Sequence, residues 1–453
     1  MKKQSRFWSL FLFTCLATLG ASAQSFRVQC PTSTITHPSN LTNVNAEPAY
    51  NGPTTLTTGS AGYEVPSGNV NGAIKCQQIA GGDGFATMAD GTQTYMFSFG
   101  PLSGLADIAN GLPGTEFPNV FNILDPGNLK PGDPATTGLG SFTFNGAVGQ
   151  VLDADRKAAG LCDGSGQPSC IDGHVDPRSI MDVGVMNGNI PAPLMAIDED
   201  DEFFLTLTNT GMIMRPDLFE QHTVHFHGYP NASSFYDGVP DASVAINIGG
   251  SFTYYYLAPD AGTYFWHCHI TPPEHLQMGM VGQLYVRPRQ DRVTGSLYDA
   301  LAAQQTDPRT ACNSSSDILC SNPLPAVNTG ALGLPTVVNG PTGTTGGYAY
   351  NDGDGSTWYD VEYPIQIHGF DPNFHFVGMT FNPEGFVDMK DKFFLLNGRS
   401  YPDTVQAGPM QTETTDGSMH FSQPLPAIIN IPSGKKALLR ISDLDVTEYQ
   451  TLA

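Results

Sequence analysis

The chain has 453 residues, a formal charge of −23, and 14% charged residues against 50 glycines and 35 prolines. Acidity of that size argues against nucleic acid and anionic membrane surfaces as partners, because like charges repel; it also serves solubility. The Gly- and Pro-rich balance argues against long helices and favours many short strands joined by turns.

The chain opens with Lys2, Lys3 and Arg6, then an apolar run from Phe7 to about Leu19, then the small residues Ala21, Ser22 and Ala23. That order predicts a secretory signal peptide over residues 1–23, too short for a membrane span. Cys15 lies in the run without a lipobox around it. An exported protein, periplasmic or extracellular, follows. Loss of the three basic residues takes the charge from −23 to −26. Residues 24 to about 77 read as irregular. The first predicted strand is Thr94–Phe99, followed by a Gly-, Pro- and Asp-rich insertion to about Arg178. A patterned β region then runs to about Arg287. Phe203, Leu205 and Leu207 alternate with their neighbours, as do Phe252, Tyr254 and Tyr256, the mark of half-buried strands. Gly262–His267 and Gln283–Val286 supply two more. Residues 289–358 read as a linker with a Gly/Thr run, and a second β-rich region starts near Tyr359, with strands at Phe393–Leu396 and Ala437–Ile441. The predicted fold class is all-β, as tandem β-sandwiches.

Seven cysteines remain after Cys15 is removed. An oxidising compartment favours pairing, and Cys162 with Cys170, Cys312 with Cys320 and Cys30 with Cys76 are the candidate bridges. The count is odd, and the one left over is Cys268, which sits between two histidines.

Six of the eleven histidines fall between residues 222 and 275: His222, His225 and His227, then His267, His269 and His275, with Met280 five positions on. Side chains alternate along a strand, so His267 and His269 share a face and Cys268 takes the other. His225 and His227 likewise share a face, with His222 opposite if the segment is extended. Four histidines thus collect on one side, and His222 with Cys268 on the other, where His275 and Met280 return from the following loop. Two imidazoles, a thiolate and a weak axial thioether make an electron-transfer copper site. Zinc, the main rival, takes Cys and His without thioether. The four-histidine face would suit metal ions that bind and reduce dioxygen.

Further motifs carry a resemblance. Asn187-Gly188, Pro191, Pro193, the acidic turn Asp198–Glu202, the strand ending at Asn209, Asp237-Gly238-Val239-Pro240 and Gly262-Thr263-Tyr264 are similar to signatures of the multicopper oxidases. The chain most resembles the large, laccase-like members proposed to act on Mn(II). The resemblance implies cupredoxin-like Greek-key domains: one over 24–288, with its core at about 180–288, and a second, truncated one over 359–453, where Leu396 to Arg399 and Leu438 to Asp443 match. It implies His222, Cys268, His275 and Met280 at a type 1 copper, and His225, His227, His267 and His269 at a type 2/type 3 trinuclear copper cluster. That cluster draws on eight histidines in the family, so the other four would come from a missing domain or from a second copy of the chain. His37, His174, His368, His375 and His420 stand outside the motifs and read as structural or surface residues.

A further departure lies in the spacing of the motif. His275 follows Cys268 by seven positions, which enlarges the loop Ile270–Glu274 at the exposed edge of His275, where electrons enter. Glu274 there would either steer a cationic donor or be a solvated loop charge. Asp237 is the candidate proton relay, or else a turn former. The implied partners are O2 and a small reducing substrate: Mn(II), a phenol or an amine. Two other readings stay open: a type 1 copper protein for electron transfer or copper binding, without a working oxygen site, and a nitrite-reductase-like copper enzyme, against which the second flanking histidine, His269, counts.

Overall fold

The computed structural model describes residues 30–39, 41–122, 150–152, 171–175, 184–228, 233–258, 260–293, 346–351, 356–379, 385–413 and 419–452. The predicted signal peptide, most of the linker, and the Cys162–Cys170 and Cys312–Cys320 pairs lie outside them, as does the side chain of His174.

A hairpin of β1 (Thr55–Thr58) and β2 (Glu64–Gly68) leads into β3 (Ile74–Thr87) and its antiparallel partner β4 (Gln93–Pro101). The expectation of an irregular stretch to residue 77 is therefore corrected. The reason lies in the burial of β3: from Ile74 to Ala86 every residue is buried, so no alternation exists to be read. Gln77, Gln78, Asp83 and three glycines disguise it further. Helices α1 (Leu105–Ala109) and α2 (Pro118–Phe121) and the short pair β5 (Gln150–Leu152) and β6 (Ile171–Val175) follow.

The centre of the molecule is a sandwich of two four-stranded sheets. Strands β7 (Met195–Asp198), β8 (Glu202–Gly211), β9 (His225–Phe226), β10 (Ser251–Leu257), β11 (Gly262–His267) and β12 (Val281–Arg287) complete them. One sheet runs β10-β8-β3-β4, the other β7-β12-β11-β9. Tyr254 pairs with Leu205 and Tyr256 with Phe203, and all four side chains are buried in one cluster with Phe97, Phe99, Phe226, Trp266 and Leu284; β10 is half-buried as expected, whereas β8 is buried on both faces. Each such side chain contributes about 1.5–3 kcal/mol on burial. The same cluster takes in Cys268 and Met280. The acidic turn Asp198–Glu202 is buried rather than solvated, with Asp200 gripped by Arg289 through two bonds of 2.6 Å.

The second β-rich region adds β13 (Gly347–Tyr348), β14 (Trp358–Tyr359), β15 (Val361–Phe370), β16 (Phe393–Leu396), β17 (Met410–Glu413), β18 (Met419–Gln423) and β19 (Ala437–Asp443). Strand β15 lies between β16 and β19. This region packs directly on the sandwich. Glu362 accepts from Arg440 at 2.8 Å and from Arg287 at 3.2 Å. Gln423 bonds the backbone of Thr87 on both sides, at 2.8 and 3.0 Å. Helix α4 (Pro372–Met379) leans on β4, with His375 Nδ1 2.5 Å from the Tyr95 carbonyl. No helix of the described residues is long and apolar enough to cross a membrane.

Candidate metal centre

Two neighbouring segments bring the predicted ligands together. Backbone bonds between His222 and Ile246, at 3.0 and 3.1 Å, hold the chain extended at His222. Three residues on, β9 pairs with β11 so that His225 lies opposite His267. Beyond β11 the chain passes through Cys268 and His269 and turns into helix α3 (Pro272–Gln277), which carries His275. Met280 returns opposite Cys268: the Cys268 N–H donates to the Met280 carbonyl at 3.2 Å, and the Met280 N–H to that of His275 at 2.9 Å.

On one side the ligand atoms of His222, Cys268 and His275 lie within 4.8 Å of one another, and all three residues are buried. His275 Nδ1 is 3.2 Å from the Cys268 sulfur, and the Thr223 N–H donates to that sulfur at 3.4 Å. Cys268 is the free cysteine among the described residues, and Cys30 is bridged to Cys76 as expected. Both ring nitrogens of His222 are buried without a hydrogen-bond partner. Such orphaned polar atoms are costly unless something satisfies them. Burial, and then the neighbouring His275, hold His222 well below the ordinary histidine range, so its ring is neutral and free to ligate. Burial opposes charge on His275 too, but the Cys268 sulfur and Glu220 outweigh it and push its pKa up to about 10. One soft sulfur, two imidazoles and a buried thioether in an apolar wall fit a copper ion better than zinc.

The opposite side holds the other four histidines. Ring centroids lie 4.7 Å apart for His225 and His227, 5.1 Å for His225 and His269, and 4.9 Å for His227 and His267. His267 Nδ1 bonds the Cys268 carbonyl at 2.7 Å, and His225 Nδ1 the Asp237 carbonyl at 2.6 Å. A carbonyl on Nδ1 fixes the proton there and leaves Nε2 as the ligand atom. The Nε2 atoms of His227 and His267 approach to 2.8 Å. Burial lowers the pKa of His267 to about 4, and it lowers that of His227 as well. This side is less finished. Among the described residues, no three of these rings bring ligand atoms within 4.8 Å.

Two site expectations need correction. His275 stands on a helix rather than in a loop, because Pro272 and Pro273 sit in its first turn, where proline favours helix initiation. It is fully buried and has no exposed edge. Glu274 is buried as well, so it is neither a solvated loop charge nor placed to meet a donor. The carboxylate facing His275 Nε2 is Glu220, 3.5 Å away and partly open to solvent. Asp237 sits where a relay was sought, but its carbonyl reaches His225 more closely than its carboxylate, which is 3.5 Å away. Gly238 beside it has φ +80°, and a Cβ there would collide with the Val224 carbonyl, which explains the Asp-Gly turn. His37, His368 and His375 are buried structural residues, bonded to Glu202, the Leu444 carbonyl and the Tyr95 carbonyl respectively. His420 is buried beside Asn187 Oδ1 at 3.5 Å. Gly81 was missed altogether: a Cβ there would sit 2.6 Å from the His222 ring.

Residues 172–291 match the family model of the multicopper oxidases, a span that contains every candidate ligand described above. That stretch, about a quarter of the chain, is similar to multicopper oxidases. Laccase abr2 of Aspergillus fumigatus is 33% identical over 109 residues, 24% of this chain and 17% of that protein. L-ascorbate oxidase of Cucumis sativus is 32% identical over 120 residues, 25% of this chain and 18% of that protein. A copper-containing nitrite reductase of Rhizobium meliloti is 33% identical over 114 residues, 24% of this chain and 27% of that protein. The chain therefore spans under a third of the length of each of these relatives.

Proposed function

We propose that the multicopper oxidase domain works as a copper-dependent oxidase, taking single electrons from a small reducing substrate and delivering them to O2. The observation that carries this reading is the dry trio of His222, Cys268 and His275, with its orphaned imidazole nitrogens and free sulfur. Those three would hold a type 1 copper, with the buried Met280 thioether as a further weak ligand. Copper there supplies a one-electron acceptor that returns to its oxidised state by passing the electron on. The protein fixes the ligands in advance, so little has to move when the charge changes.

Electrons would leave through Cys268 and its covalent neighbours His267 and His269, which face the other side. His225, His227, His267 and His269 would supply half of a type 2/type 3 trinuclear copper centre, where four electrons and four protons convert O2 to two waters. The remaining ligands would come from a second copy of the chain or from another domain. Electrons would enter at His275 by way of Glu220. A carboxylate there suits a cation such as Mn(II) or an organic amine, whereas a phenol would use the exposed ring of Phe219 beside it. Export to a periplasmic or extracellular space agrees with the Cys30–Cys76 bridge, since reducing compartments disfavour disulfides.

Copper analysis and oxygen uptake test the proposal. The protein should bind copper with an intense blue absorption that Cys268→Ser abolishes, and should consume O2 with Mn(II) or a phenol. A blue band that survives Cys268→Ser would rule out the assignment. A second reading, electron transfer without oxygen chemistry, draws support from the unconverged four-histidine side; one copper per chain and no oxygen uptake would select it. Nitrite reduction fits less well, because His269 packs on His225 at 5.1 Å within the four-ring group, rather than leaving a single isolated site.

A further inference from the structure

Helix α3 is six residues long, far too short to hold its own shape in water. Whatever fixes His275 must therefore come from its surroundings. Gln277, the last residue of that helix, is fully buried, and its side chain is committed outside the sandwich. Its Nε2 donates to Asp391 Oδ1 at 2.8 Å, and its Oε1 accepts from the Asp371 N–H at 3.1 Å. Its carbonyl faces His375 Nε2 at 3.0 Å. The receiving pocket is itself built: the Thr447 hydroxyl donates to Asp391, and a Cβ at Gly369 would collide with the Asp391 carboxylate. Asp371, Asp391 and Thr447 all belong to the second β-rich region, outside the matched domain.

We propose that Gln277 is a positioning residue for His275, through which the second β-rich region fixes the ligand helix and sets the geometry of the copper site. The inference rests on the type 1 reading of His222, Cys268 and His275. Its physical basis is that a buried amide meeting both a carboxylate and a backbone N–H has one satisfied orientation. Loss of that orientation frees a helix whose only function-bearing side chain is a metal ligand.

The test uses the full chain and a swap of hydrogen-bond polarity. Gln277→Glu sets one carboxylate against another; Asp391→Asn in the same molecule restores a donor–acceptor pair with the roles exchanged. Cu(II) affinity, the blue absorption, the midpoint potential and the circular dichroism of the metal-free protein are measured for both. The expected result is that Gln277→Glu weakens Cu(II) binding about tenfold or more and shifts band and potential. The metal-free fold should persist, and the double variant should recover most of the loss. Wild-type band, potential and affinity in Gln277→Glu would overturn the inference while leaving the copper reading intact. So would a loss that Asp391→Asn does not repair. A wild-type protein with no Cys268-dependent band would overturn both.

Discussion

The two sides of one backbone differ in how finished they are. Around Cys268 the candidate ligands are buried and converge within 4.8 Å, and both ring nitrogens of His222 lack a hydrogen-bond partner. Across the strand, His225, His227 and His269 are partly exposed, and no three rings converge. The alternation that separates the two sets is a property of any strand; completeness is a property of what else packs there. The sealed side is completed by β3, helix α3 and the second β-rich region, all within this chain. Among the described residues, the open side draws on its own two segments and on the Asp237 carbonyl.

The largest expected effect that would break this contrast is Gly81→Ala. The added methyl meets the His222 ring at 2.6 Å, and overpacking of this kind costs about 1–3 kcal/mol. Copper affinity on the sealed side should fall about tenfold to a hundredfold, read by titration of the blue band, while the open side keeps its metal. Equal losses on both sides would show that the two are not independent.

Next in size is a pH effect to which His375, at the interface between the two regions, contributes. Burial lowers the pKa of His375 to about 4 against an ordinary value near 6.5. Between those values the unfolded chain binds a proton that the folded chain refuses, so stability falls as pH drops from 6.5 towards 4, by up to about 3 kcal/mol from this group. Urea unfolding of the metal-free protein at pH 7 and pH 4.5 should show that loss, and His375→Gln should reduce it. An unchanged slope would mean that the ring is charged in the fold.

His269→Ala sharpens the comparison from the open side. Copper per molecule or per assembly should drop and oxygen uptake should cease, with the blue band retained. The smallest effect is Asp237→Asn. Since the carbonyl rather than the carboxylate holds His225, the change should cost less than about tenfold in oxygen uptake, below the usual range for an outer-shell partner. A larger loss with an intact blue band would return the carboxylate to the role of proton relay.

Much of the sealed site was legible because its ligands come from two short segments whose spacing and parity are visible in one dimension. The unpaired Cys268 followed from counting, whereas Cys30–Cys76 was one candidate pairing that the structure bears out. The parts that were not legible come from far along the chain. Gly81 is recognisable only once β3 is seen to cross His222, and β3 itself hides its pattern by being buried on both faces. Glu220 precedes His222 by two positions, yet nothing in the sequence says that it turns towards His275. Gln277 reads as one more polar helix residue until Asp371 and Asp391 are placed around it. Glu274 was misjudged for the converse reason: adjacency in sequence to His275 suggested solvent, whereas the helix turns it inward.

The sealing of the His222, Cys268 and His275 pocket has a kinetic side. A site buried in this way should exchange an ion at the rate of local opening rather than at the rate of encounter. A chelator should therefore empty the open face quickly and the sealed pocket slowly, and a chain folded without copper should load it sluggishly afterwards.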